Sequence, residues 1–327
     1  MKVQRGRHGA VSHALKAGYR HLDCTWFHQN EDEVGGAVRN FLAQNPSAKR
    51  SDLFIITKVW NRLHEPEVKW SLGRSLEKLQ MDYVDLFLLH RPTAAEKDEK
   101  NMPKLGVDGK YITKKGLTKN PEPTWRAMEE LYAAGKARAI GVSNWTIPGL
   151  KKRLRIAKVK PAVNQIEIHP FLPNTELVEF CLSHGILPEA YPPLGSQDQV
   201  PNTGEKVRTN STLNEVAERS GDTLAQVLLA WGLRRGYVVL PKSTDRQQLA
   251  GVHTERCGLR GSEQGCRGTP YMIRQYEGYV RMRCTGRREV AWLIPKGTRD
   301  TVLAAFGLNM VKVVLGKGRI DTTYIVT

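Results

Sequence analysis

Cysteine is scarce in this sequence: five in 327 residues, Cys24, Cys181, Cys257, Cys266 and Cys284. None forms a CxxC pair, which argues against a disulfide framework and against a zinc site, so no bound metal is expected. Long apolar runs are absent too. No stretch approaches the roughly 18 apolar residues that would suggest a membrane helix. The opening MKVQRGRHGA lacks the apolar centre of a secretory signal. A cytoplasmic, monomeric protein with no membrane contact is expected. Acidic residues are in short supply, 33 against 50 Lys and Arg, giving a net charge of +17. In the body of the chain, however, the basic residues sit on helix faces beside acids, as in EELYAAGKARA, and no aromatic–basic RNA motif occurs. Nucleic acid is therefore not the expected partner, and a positive field serves equally to attract a small anionic cofactor.

Hydrophobic residues make up 40% of the chain, enough to bury a substantial core. Short apolar runs alternate with amphipathic stretches: YRHLD (19–23), LFIITK (53–58), YVDLFLLH (83–90), ARAIGVS (137–143), AVNQIEI (162–168), ILPEAY (186–191) and YVVLPKS (237–243). Each run has the length and Val/Ile/Leu content of a strand buried on both faces of a parallel sheet. Helices are expected between them. Asn30 with Glu33 has the spacing of a capping box, although the glycine pair that follows weakens the helix. Pro66 opens a stripe of Val68, Leu72, Leu76 and Leu79. Asn174 opens a helix that Gly185 stops, and Leu224, Val227, Leu228 and Trp231 mark another buried face. Repeated strand–helix units imply right-handed crossovers. A polar, lysine-rich insertion at 91–122 reads equally as a functional lid or a disordered excursion.

From about Gly251 the pattern breaks. Residues 253–327 hold 13 Lys and Arg against 6 Asp and Glu, three of the five cysteines, and no helical periodicity. The expected organisation is thus a barrel over 1–250 and a divergent basic tail over 251–327, the tail an addition by frame change, retained intron or fusion.

Polar side chains gather at the C-terminal ends of the runs: Asp23, Lys58, His90, Ser143 with Asn144, Gln165, Tyr191, and Lys242 with Ser243. A parallel barrel presents those ends at one face, where enzymes of this architecture keep their active sites. A lone Lys or Asp at a strand end is usually only solvated; this many together point to a site.

GYRHLDCTWFHQNEDEVG, ITKVWN, YVDLFLLHRP, GKARAIGVSN, PAVNQIEIHPFLP, AYPPLGS and GYVVLPKS resemble the signature stretches of the aldo-keto reductase superfamily, over roughly residues 9–250. The wording is most similar to its fungal glycerol dehydrogenase and aldehyde reductase branch. The resemblance implies an α/β fold, the (β/α)8 TIM barrel. It is expected to be incomplete here, with the first strand missing and the last helix replaced, since only about eight residues precede AVSHALKAG. Such a barrel has two open sheet edges, and neither EVAWLI (289–294) nor MVKVVLG (310–316) is expected to fill the gap. The resemblance further implies NADPH as cofactor, consistent with the lack of a GxGxxG after any strand, and a small-molecule carbonyl or polyol substrate. It assigns Asp23, Lys58 and His90 to a catalytic tetrad. Ser143, Asn144 and Gln165 match residues that hold the nicotinamide carboxamide, and Tyr191 the ring that stacks on it. Leu194, Ser196, Lys242 and Ser243 match contacts to the pyrophosphate, ribose or 2′-phosphate.

Departures from the pattern carry their own expectations. His28 stands where the family has its proton-donating tyrosine, Arg91 where a tryptophan is common, and Pro192 where a serine is usual. Gln248, Gly251 and Val252 occupy the positions of an arginine clamp for the 2′-phosphate and a Glu-Asn pair, which weakens the preference for NADPH over NADH. An aldehyde or ketone reductase impaired at His28 is expected; the alternative is an inactive descendant that binds nucleotide or a partner.

Overall fold

A computed structural model describes residues 7–99, 102–195 and 206–253, together with the short strands 272–276, 279–283, 290–291 and 324–326. All seven apolar runs form strands: β1 (His21–Asp23), β2 (Phe54–Val59), β3 (Leu86–Leu89), β4 (Ile140–Ser143), β5 (Val163–Ile166), β6 (Leu187–Ala190) and β7 (Val238–Val239). Each pairs in parallel with the next. The helices are α1 (Arg7–Lys16), α2 (Glu31–Gln44), α3 (Val68–Leu79), α4 (Lys115–Lys119), α5 (Glu122–Ala133), α6 (Ile147–Leu154), α7 (Thr175–Ser183), α8 (Ser211–Ser220), α9 (Leu224–Leu233) and α10 (Arg246–His253).

The sheet is strongly curled. Neighbouring strands lie about 4.8 Å apart, so β1 and β6 would be roughly 24 Å apart in a flat sheet. Instead, His21 Nε2 on β1 lies 3.6 Å from Glu189 Oε1 on β6. Inward side chains of the two halves therefore meet across a barrel interior, the α/β architecture expected of a (β/α)8 fold. Below them, Ile56, Leu86, Leu88, Ala139, Ala162 and Val163 form one buried apolar cluster, while a larger one lies between the sheet and its helices.

One open edge is occupied. An eighth strand, from the tail, pairs in parallel with β1, setting Leu22 opposite Ile325. It comes from Tyr324–Val326, a run too short to stand out in the sequence, and not from either of the two longer candidates. Val290–Ala291, within the first of those, pairs with Tyr279–Arg283 in a separate antiparallel sheet; the second lies outside the described residues. The seven-strand count was thus one short of the sheet observed.

The helix α10 crosses residue 250 and belongs to the helical layer. Leu249 is buried, the Tyr19 hydroxyl donates to its carbonyl at 3.2 Å, and Gln226 Nε2 donates to the Gly251 carbonyl at 2.8 Å. At α2, Asn30 occupies the N-cap but makes no side-chain cap bond, so the expected capping box does not form. Glu31 instead turns inward, where Thr57 and Ser75 hydroxyls donate to it at 2.6 and 3.1 Å. The insertion folds back antiparallel on itself, Ala95 opposite Thr113 and Leu105 opposite Tyr111, and is tied at its base by the Ala95 N–H to the Asn61 carbonyl at 2.9 Å.

Candidate active site

Alternation along β1 and β2 turns Asp23 and Lys58 into the barrel, where both are almost wholly buried. Their side chains form an ion pair, and the Lys58 ammonium also donates to the Cys24 carbonyl at 3.0 Å. Burial pushes the Asp23 carboxyl up and Lys58 pulls it down. A bare carboxylate there would be costly, so its ionised form depends on the lysine.

His90 follows β3. Its pKa is depressed to about 3 by burial, reinforced by Lys58, Arg91 and His28. It is therefore a neutral imidazole near pH 7. Thr25 Oγ1 lies 3.3 Å from His90 Nδ1 and accepts from the Phe27 N–H at 3.3 Å. The hydroxyl keeps a proton to give and a second lone pair to accept with, so this contact serves either tautomer; donation from Thr25 to Nδ1 would place the ring proton of His90 on Nε2. His28 ends a single 3-10 turn, Trp26–His28, and is half-buried beside the same histidine.

At the end of β4, Asn144 adopts a left-handed backbone (φ 65°), a conformation asparagine tolerates better than most residues. Its Nδ2 donates to the His90 carbonyl at 2.9 Å and to Ser143 Oγ at 3.1 Å. Its Oδ1 accepts from the Tyr191 hydroxyl. Ser143 Oγ donates to the Gln165 carbonyl at 2.8 Å. Gln165 Nε2 bridges two carboxylates, Asp23 Oδ1 at 3.3 Å and Glu189 Oε2 at 2.8 Å. Its Oε1 is thereby turned away from both, as the atom able to accept from an amide N–H.

These contacts bring Asp23, His28, Lys58, His90, Ser143, Asn144, Gln165 and Tyr191 into one cluster. Leu194 stands apart from it, half-buried against an apolar group with Tyr237 and Val239. Lys242 is exposed beyond β7. Ser243 donates to Gln248 Oε1 at 2.7 Å, and Ser196 lies outside the described residues.

Sequence reasoning passed over several neighbours. Trp26 stacks on Trp60 at 5.4 Å, Phe27 tilts against Trp60 at 5.1 Å, and the Arg62 guanidinium lies 4.4 Å from the Trp26 ring. These rings stand beside His28 and form an aromatic wall. Phe27 leaves 46% of its surface exposed. Thr25, His21 and Glu189 were missed too. Period-2 counting would have found the last two, since His21 precedes Asp23 by two residues and Glu189 precedes Tyr191 by two.

The sequence profile described as "Aldo/keto reductase family" matches residues 7–254. The chain is 71% identical over 243 residues to a glycerol 2-dehydrogenase (NADP(+)) of Hypocrea jecorina, covering 74% of this chain and 76% of that one. It is 41% identical over 247 residues to the Saccharomyces cerevisiae protein of the same description, covering 73% and 75%. Among solved structures, the aldose reductase of Giardia lamblia superposes with a TM-score of 0.70 at 37% identity, over 76% of this chain and 81% of that one.

Proposed function

Because the chain belongs to the aldo/keto reductase family, we propose that it is an NADP(H)-dependent oxidoreductase that reduces an aldehyde or ketone to an alcohol, with its rate limited by His28. The observation that carries this reading is the buried Asp23–Lys58 pair set beside a neutral His90 at one end of the barrel. The fungal relatives described as NADP(+)-dependent glycerol dehydrogenases support the cofactor and a carbonyl or polyol substrate.

The residues present fit a nicotinamide group. Gln165 offers an amide oxygen whose orientation is fixed from behind, Ser143 and Asn144 stand next to it, and the Tyr191 ring flanks them. When bound, NADPH supplies the hydride. The chain supplies the rest. His90, as the Nε2–H tautomer, orients a carbonyl oxygen by donating to it. Trp26, Phe27 and Trp60 exclude water from one side. Lys242, exposed past β7, provides a positive charge for the 2′-phosphate. A proton must still reach the alkoxide oxygen.

His28 occupies the position of the family's tyrosine donor. Its ring is shorter than a phenol and carries its N–H at a different reach from the backbone, so it does not place a proton where a tyrosine hydroxyl would. Removal of a well-placed general acid lowers rates by about 10²–10⁴. Titration of the full chain with NADPH, followed by cofactor fluorescence, is expected to show saturable binding. NADPH oxidation with DL-glyceraldehyde is expected to be slow, and His28→Tyr is expected to raise turnover at least about tenfold. Failure to bind NADPH would sink the reading. Binding without turnover in either protein would favour the second reading, an inactive nucleotide binder, which the His28 substitution motivates.

A further inference from the structure

We propose that His21 and Glu189 hold one buried proton between them beneath the site and act, through Gln165, as positioning residues for the nicotinamide pocket. The second half of this inference rests on the cofactor reading above; the first does not.

Strand alternation sets both side chains one layer below the polar cluster. Glu189 is 1% exposed and His21 4%. Four polar groups face Glu189: Gln165 from β5, Asp23 and His21 from β1, and Lys58 from β2. On the β7 side its register partner is the apolar Val238. Among the described residues, the interior at this level thus contains two carboxyls and one ammonium. Lys58 is already paired with Asp23. If Glu189 were ionised beside a neutral His21, the layer would carry an uncompensated negative charge, and burial of such a charge costs far more than the uptake of a proton.

The arrangement of the two oxygens indicates where that proton would sit. Glu189 Oε2 accepts from Gln165 Nε2 at 2.8 Å, which leaves Oε1 facing His21 Nε2 at 3.6 Å. One proton between these two atoms completes the layer, with Glu189 as the donor and the neutral ring as the acceptor. The electrostatics agree: burial and the adjacent Asp23 push Glu189 up to about 8, while burial and Lys58 pull His21 down to about 3. Gln165 gives one N–H to Asp23 and the other to Glu189, so its amide plane is held from below and cannot flip. Ionised Glu189 would repel Asp23 and pull the amide toward itself, which would disturb the atom aimed at the carboxamide.

Infrared spectra of the full chain without cofactor test the proton. The carbonyl stretch of a protonated buried carboxyl is expected at neutral pH, lost as pH rises through about 8 and missing from Glu189→Gln. NADPH titrations test the positioning. Wild-type affinity is expected to fall by about tenfold across that transition, equivalent to roughly 1.4 kcal/mol. Glu189→Gln, which keeps both an acceptor for Gln165 and a donor for His21, is expected to bind at neutral pH and lose the alkaline decline. Glu189→Ala is expected to bind about tenfold more weakly at every pH, again about 1.4 kcal/mol. Should Glu189→Gln not fold, His21→Gln is expected to shift the frequency of the same carboxyl band. Absence of the band at neutral pH, its persistence in Glu189→Gln, or its indifference to His21→Gln would overturn the shared proton. Identical pH profiles for wild type and Glu189→Gln would overturn the positioning role. A chain that binds no NADPH refutes the proposed function, while the infrared result still decides whether the pair holds its proton.

Discussion

Lys58 is the residue on which the interior electrostatics turn. It is the cation paired with Asp23, and it also depresses His21 and His90. Lys58→Met would strip the buried Asp23 of its counter-charge. Loss of one partner of a buried pair costs about 3–5 kcal/mol, because the survivor is left charged in a poor solvent. Urea denaturation is expected to show a loss of that order, and the double variant Lys58→Met with Asp23→Leu is expected to recover most of it; an additive double loss would contradict the pairing account. At this scale the sequence was readable wherever chemistry stands at a strand end. Asp23, Lys58, His90 and Tyr191 close apolar runs, and a charged or polar group at the end of a buried strand is conspicuous. Glu189 was not readable in the same way. In ILPEAY it looks like a break in an apolar run, and only the curl of the sheet reveals that it meets His21 from β1. Trp26, Trp60 and Arg62 were passed over because aromatics near strand ends are as common in cores as in pockets.

The contact between helices α2 and α3 depends on Gly35. A Cβ there would stand 2.3 Å from the Leu79 carbonyl oxygen, and backbone cannot yield as a side chain would. The glycine pair in EVGGAVRNFLA, which lowers helix propensity, is thereby explained by close approach. Gly35→Ala is expected to destabilise by roughly 1–3 kcal/mol through overpacking. Gly73, exposed in the middle of α3 with nothing within 4 Å of its Cβ direction, makes the opposite prediction. Gly73→Ala is expected to stabilise by about 0.5–1 kcal/mol through helix propensity alone. Thermal melts of the two variants side by side check both signs. Element existence was legible because each strand run is short, β-rich and bounded. The eighth strand was not, since three residues, Tyr324–Val326, carry no period and acquire meaning only from the edge of β1 they pair with. Asn30 likewise has the spacing of a cap, yet nothing in sequence says that Glu31 will be drawn inward by Thr57 and Ser75.

For the whole molecule, the buried titratable groups set opposing slopes of stability against pH. His21, His64 and His90 have folded-state values of about 3, 4 and 3, each lowered from 6.5 with burial as the main cause. They are neutral in the native state, whereas the unfolded chain takes up protons below 6.5, so acid favours unfolding. Each contributes a loss approaching about 1.4 kcal/mol per pH unit as pH falls from 6.5 toward its folded value. Glu189 acts in the other direction. Its folded value is raised from 4.5 to about 8, again mainly by burial, so the native state retains a proton that the unfolded chain releases. Its stabilising contribution is complete below 4.5 and is lost as pH rises to about 8. Asp23, Glu31 and Asp85, whose carboxyls burial also raises, act on the same side as Glu189. The histidine slopes end near 6.5, whereas that of Glu189 continues to about 8, so stability declines from 6.5 to 8. A decline between pH 6.5 and 8 is therefore expected in denaturation midpoints measured across this range. In Glu189→Gln the decline between 6.5 and 8 is expected to flatten, because the group whose proton equilibrium sets it has been replaced. An alkaline limb of unchanged slope in that variant would mean that some other group sets it.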